Sequence, residues 1–134
     1  MNIRNLTPHI LTIQDTNDRI MTLNPSGLCP RRETITRTTT PINIQNADGS
    51  STTIGVNIEA LGPVVGLPDQ VEGVVLVVSR LVAQDVPHRS DVFAPGDLVR
   101  DEHGRPVSAR GLVRVVPASW ILNPRAGMAT DEHD

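Results

Sequence analysis

Apolar residues in this chain fall in short runs, most of them alternating with polar residues, and Asn, Asp, Gly and Pro separate one run from the next. Strands joined by tight turns produce that pattern, so it predicts a mainly β fold: a compact, mostly antiparallel sheet or small barrel with α structure as a minor component. Residues 2–6 and 10–14 read as strands around the Thr7-Pro8-His9 turn, and residues 19–23 return after the polar DTND connection as a hairpin partner. Asn24-Pro25-Ser26-Gly27 ends that pair.

Residues 32–45 are rich in Thr and Ile and alternate, which predicts a strand broken near Pro41 with Ile35, Ile42 and Ile44 facing inward. Asp48-Gly49 is a hairpin turn, and residues 52–58 return antiparallel with Ile54, Val56 and Ile58 on one side. A ribbon this polar is suited to projecting from the body and to exchange between subunits. Val74 to Val78 is apolar at every position, the pattern of a central strand buried on both faces. Leu81 to Val86 has the length of a two-turn helix, the one helix expected, with Ser79 as its cap and Pro87 closing it. A further hairpin joins residues 98–101 to 106–110, and residues 113–116 read as a last strand. The end of the chain, ATDEHD, has little to bury, so the expectation is one β-rich domain over residues 1–127 and a flexible acidic tail over 128–134.

A length of 134 residues suits a single domain, and with Phe93 and Trp120 as its only Phe, Tyr or Trp the core has to be aliphatic. The net charge of −3 creates no field that draws nucleic acid, so neither DNA nor RNA is an expected partner. No apolar run approaches the ~18 residues of a membrane span, and none is expected. The start, MNIRNLTPH, lacks the apolar stretch of a signal peptide. Cys29 is the sole cysteine, which rules out an intrachain disulfide and reads as a small packing residue between Leu28 and Pro30. A cytoplasmic protein is the expectation.

The chemistry concentrates where the apolar run stops. Five of the twelve arginines lie between Val74 and Leu112. Ser79 and Arg80 follow the central strand directly, placing a helix cap, free N–H groups and a guanidinium together, a combination suited to a phosphate. Alternatively Ser79 only caps the helix and Arg80 pairs with Asp85 or Asp91. His88 and Arg89 follow the helix, with Asp91 positioned to orient either one. Arg100 and Arg110 lie on paired strands and form a two-arginine clamp unless Asp97, Asp101 or Glu102 neutralises them. In the opening turn His9 is either a ligand contact or an acid-base group, while Asn5 and Thr7 either read a ligand or satisfy the turn's own donors. Leu67 supplies an apolar rim able to cover a base.

His9, His88, His103 and His133 show no metal-binding spacing, and the chain has no P-loop, GxSxG elbow or dinucleotide glycine fingerprint. No metal, cofactor or catalytic residue is therefore expected.

The segments NLTPH, GLP, VSRLVAQ, PHRSD, PGDLVRDEHG and ARGL, spread from Asn5 to Leu112, resemble a group of small bacteriophage and prophage proteins. By analogy with phage proteins that act as oligomeric sponges, the resemblance implies a homo-oligomer that is not an enzyme. It would sequester a phosphate-bearing nucleotide immune signal, of cyclic nucleotide or cyclic ADP-ribose type, in the host cytoplasm and so inhibit antiviral defence. Arg80, Arg89, Arg100 and Arg110 would meet phosphates, and His9 and Asn5 would read base or ribose atoms. Two other classes fit the same residues. One is a protein-binding inhibitor or virion component without a small-molecule ligand, and the other a metal-independent phosphodiesterase using His9 or His88 as acid and base.

Overall fold

Strands dominate the computed structural model, which describes residues 1–123. In chain order the elements are β1 (Asn2–Asn5), β2 (Leu11–Gln14), β3 (Ile20–Leu23), β4 (Arg31–Gln45), β5 (Ser51–Val65), β6 (Val74–Val77), α1 (Arg80–Asp85), β7 (Val92–Arg100), β8 (Pro106–Val113) and α2 (Ala118–Leu122). The mainly β class is as the sequence pattern predicts. The expected acidic tail over 128–134 lies outside the described residues. The described residues form two compact units, one of residues 1–31 with 64–123, the other of residues 32–63.

The first unit is a six-stranded sheet in the order β1-β6-β7-β8-β2-β3. Its two outer strands nearly meet: Asn5, at the end of β1, bridges in parallel to Pro25, just past β3, and the Ser26 N–H donates to the Asn5 carbonyl at 2.9 Å. The sheet therefore curls into a nearly closed barrel, which leaves few unpaired edge groups. Pairing direction is mixed. The β1–β6, β6–β7 and β2–β8 pairs are parallel, while β7–β8 and β2–β3 are antiparallel. Alternation along a strand records which residues face inward and carries no information on partner direction, so a mostly antiparallel pattern was the simplest expectation from short loops.

β6 stands second in this order and runs into the core of the unit. Leu76, Val77 and Val78 are 3%, 0% and 0% exposed, as an all-apolar central strand requires. Leu76 and Val78 pack with Leu6, Val82, Ala83, Val92 and Ala94 into one aliphatic cluster. Each such side chain contributes about 1.5–3 kcal/mol by leaving water. Because β6 and β7 are parallel, the chain has to cross over between them, and α1 makes the crossover with Val82 and Ala83 turned into the cluster. Ser79 caps this helix, its Oγ accepting from the Val82 N–H at 3.3 Å.

Two local expectations are corrected. The strand expected at 113–116 is only the end of β8, at Val113, because Pro117 cannot donate to a ladder. The chain turns there into α2, a second helix that no apolar periodicity announces. Cys29 is exposed rather than packed. Between β7 and β8 the ladder closes tightly, since a Cβ on Gly96 would lie 2.0 Å from the Arg110 carbonyl oxygen. Only glycine fits that approach.

The second unit is the β4–β5 ribbon. β4 runs through Pro41 without a break, because a two-stranded ribbon has an open side where a missing N–H costs nothing. Ile35, Ile42 and Ile44 do not face inward as expected. They are 60%, 49% and 42% exposed, for a two-stranded ribbon has no second layer of its own to bury them. At the tip, the Asp48 carboxylate accepts from the Ser50 hydroxyl and the Ser50 N–H. Those bonds, the hydroxyl first, hold the Asp48 carboxyl below its ordinary value of 3.8.

Two outcomes follow from this packing. Gly96→Ala should destabilise the protein by about 3 kcal/mol or more in urea unfolding, and an unchanged midpoint would mean that β7 and β8 are not in this register. The Asp48 carboxyl should titrate below 3.8 by NMR, so that the turn keeps its bonds above the unfolded value and loses them as pH falls through the lowered one. A midpoint at or above 3.8 would contradict the turn geometry.

Candidate functional site

The NLTPH segment forms a tight knot at the end of β1. Asn5 is 2% exposed and its amide is fully used: Nδ2 donates to the carbonyls of His9 at 2.7 Å and Leu23 at 3.0 Å. Its Oδ1 accepts from the Thr7 N–H at 2.9 Å and the Thr7 hydroxyl at 2.7 Å. Asn and Thr compete well with the backbone for such short-range bonds, and here they fold the chain back over Pro8. Of the two roles open to Asn5 and Thr7, the bonds formed are those that satisfy the turn. His9 is held by its carbonyl, and its imidazole is left exposed and engages no described residue.

The parallel pairing of β1 with β6 brings that knot to the central strand's exit. Asn5 aligns with Val77, and the Leu6 N–H donates to the Val77 carbonyl at 2.8 Å. Thr7-Pro8-His9 and Ser79-Arg80 therefore leave the sheet side by side, at the carboxyl ends of adjacent parallel strands, where α/β sheets hold ligands. Arg80 is exposed and makes no hydrogen bond or ion pair with a described residue. Neither carboxylate weighed as its partner takes it. Asp91 is committed to Arg89, and Asp85 accepts from the Val64 N–H at 3.1 Å.

The remaining predicted residues lie elsewhere. Arg89 and Asp91 precede β7, at the other end of the crossover from Arg80. Arg89 makes a bidentate pair with Asp91, Nε to Oδ1 at 2.8 Å and Nη2 to Oδ2 at 2.9 Å, and also donates to the Pro68 carbonyl at 3.0 Å. The Asp91 hydrogen bond raises the Arg89 pKa further above its already high value, against a smaller opposing effect of burial. This ion pair pins the GLP loop to the start of β7. Leu67, in that loop, is half-buried against the aliphatic cluster rather than standing as a rim. His88 stacks at a tilt on Trp120 of α2, ring centroids 5.0 Å apart, and Arg114 donates to the Pro87 carbonyl at 2.9 Å. Pattern reading missed both partners; the sole Trp of the chain was the one available signal.

Arg100 and Arg110 do not form a clamp. The ladder aligns Arg100 with Pro106 and Arg110 with Asp97, three positions apart along β7 and so about 10 Å. Arg100 donates to the Gly104 carbonyl at 2.8 Å, inside its own turn. Arg110 borders a separate open concavity of about 480 Å³ with Gln14, Asp15, Thr16, Asp18 and Gly111. Gln14 Oε1 is buried there without a hydrogen-bond partner among the described residues. The four guanidiniums proposed to share one site thus stand at four places on one chain, those of Arg89 and Arg100 engaged and those of Arg80 and Arg110 without a partner among the described residues.

Among the described residues no group of three or more His, Cys, Asp or Glu side chains could hold a metal ion, and no helix is long and apolar enough to cross a membrane. Compared with protein-family models, curated proteins and solved structures, the chain matches none.

Asn5→Ala should destabilise the fold by about 2–4 kcal/mol in urea unfolding, because it leaves the His9 and Leu23 carbonyls and the Thr7 donors without their partner. A loss under about 0.5 kcal/mol would mean that water replaces the amide and the knot carries no load.

Proposed function

We propose that this chain is a binding protein that captures a phosphate-bearing nucleotide signal, of cyclic nucleotide or cyclic ADP-ribose type, in the host cytoplasm and withholds it from an antiviral effector. The resemblance to small phage proteins gives the biological setting. One structural observation carries the binding site: the Arg80 guanidinium and the His9 imidazole are both exposed, engage no partner among the described residues, and belong to segments that leave the hydrogen-bonded strands β1 and β6 at the same end. A guanidinium holds two phosphate oxygens at once, and an imidazole on the same edge of the barrel offers a donor or acceptor to a ribose or base.

The other predicted residues act on this site by position. Asn5 and Thr7 fix the backbone that presents His9, and Ser79 sets the start of the helix behind Arg80. Arg89 and Asp91 hold the GLP loop. Capture needs affinity and geometry with no bond broken in the ligand, so no acid-base pair is required of these residues.

A second reading draws on a different place. Ile10, Leu98 and Val107 are 64%, 56% and 48% exposed around an apolar concavity of about 400 Å³ that contains no charged residue. Such a surface favours a partner protein, as in an inhibitor or a virion component.

Calorimetry against a panel of cyclic nucleotides and cyclic ADP-ribose isomers, followed by chromatography of heat-released material, tests the first reading. Binding with intact release is expected, and Arg80→Ala should weaken it by about 1.5–3 kcal/mol. Absence of binding across the panel, or an affinity indifferent to Arg80, would overturn it in favour of the partner-protein reading.

A further inference from the structure

In the concavity beside Arg110, an unpartnered cation, an unpaired acceptor and two half-used carboxylates line one space. Ile13 and Ala109 are buried, so Gln14 and Arg110, the next residue on each strand, face outward, and the parallel register sets them side by side. Asp97 stands across from Arg110 on its other side and forms no ion pair with it. From the turn between β2 and β3, Asp15 Oδ1 accepts from the N–H groups of Asn17 at 2.8 Å and Arg19 at 2.9 Å, and Asp18 Oδ1 accepts from Gln14 Nε2 at 3.2 Å. The second oxygen of each carboxylate has no partner among the described residues. The bond to Asp18 also fixes which way the Gln14 amide points, and its Oε1 is buried with no donor among the described residues.

We propose that this concavity binds a small zwitterion, a free α-amino acid, whose carboxylate pairs with the Arg110 guanidinium and whose ammonium group is taken by the Gln14 amide oxygen and the Asp15 and Asp18 carboxylates. A buried acceptor without a donor is costly to keep, and a ligand donor removes that cost. A simple anion meets Arg110 but is repelled by Asp15, Asp18 and Asp97; a simple cation meets the carboxylates but faces Arg110. A ligand with both charges on neighbouring atoms satisfies both sides. An ammonium group has three hydrogens to donate, matching the three acceptors, and a guanidinium takes both oxygens of a carboxylate at once.

Size and position agree with this assignment. The volume of about 480 Å³ lies within the range of roughly 300–1,000 Å³ that small-molecule sites occupy. Because the concavity is open, the ligand's side chain is free to point to solvent, so the charged groups at the α-carbon set the affinity. β2 and β8 run opposite to β1 and β6, and their carboxyl ends lie at the far end of the barrel from the exit that carries His9 and Arg80. This site is therefore separate from the nucleotide reading and does not depend on it.

The test is an NMR titration of the full chain with alanine, N-acetylalanine and alaninamide, the last two lacking the ammonium and the carboxylate respectively. Alanine should shift the Thr16, Asp18 and Gly111 amides with saturation in about the millimolar range, and each half-ligand should bind at least about tenfold more weakly. Arg110→Gln should weaken alanine binding by at least about tenfold. Gln14→Met, which keeps the length of the side chain and removes the unpaired acceptor, should weaken it as well, with the Leu76 and Val78 amides unmoved in both variants. The comparison of the three ligands on the unmodified chain decides the matter even where a variant fails to fold. No saturating shift with alanine, or an affinity indifferent to both substitutions, would overturn the proposal. So would N-acetylalanine binding as tightly as alanine, which reduces the place to an anion contact of Arg110, or alaninamide doing so, which leaves Arg110 without a part.

Discussion

One buried side-chain amide ties together the two closing edges of the barrel. Asn5 closes the sheet through its backbone, by pairing with β6 on one side and bridging to Pro25 on the other. Its side chain joins the end of β3 to the His9 turn. A polar group so deep is tolerated only when every donor and acceptor is matched, and Asn5 meets that condition with two carbonyls and two donors of Thr7. The same four bonds that remove its cost also set where the chain goes after Pro8. Stability and the placement of His9 are therefore one problem with one solution.

The parallel pairing of β1, β6 and β7 gives that knot its meaning. Parallel neighbours require a crossover, and the crossover helix starts where the central strand ends. The exit of β6 and the exit of β1 thus coincide, so residues more than 70 positions apart in sequence come to one edge of the barrel. The other end of the crossover is treated differently. There Arg89 commits its Nε and Nη2 to Asp91 and the Pro68 carbonyl, which ties the two loops together. Within 10 residues the chain uses the same side chain once as an open cation and once as an internal clamp, and the neighbouring carboxylate decides which.

Much of the fold was legible. The all-apolar VVLVV run announced a strand buried on both faces, Ser79 its helix cap, and Asp48-Gly49 a hairpin, because each depends on local sequence alone. Pairing direction was not legible, nor was the exposure of Ile42 and Ile44: alternation says that one face is apolar and leaves open what covers it. Of the site, spacing put Asp91 within reach of Arg89 but left His88 and Arg80 open as its partners, and the shared exit of β1 and β6 was not readable, since it rests on a parallel register. The Arg100–Arg110 clamp failed for a similar reason. Two strands of a hairpin were correctly paired, and a register difference of three positions was enough to separate the side chains.

Native-state hydrogen exchange tests most directly whether the Asn5 knot is part of the cooperative core. The Thr7 N–H, which donates to the Asn5 side chain, and the Leu6 N–H, which donates to Val77, should exchange only through global opening, with the same free energy as the Leu76 and Val78 amides of the central strand. Exchange of Thr7 at the rate of an open loop, while Leu76 and Val78 stay protected, would show that the turn moves independently and that the barrel does not fix the Thr7-Pro8-His9 turn at the exit of β1 and β6.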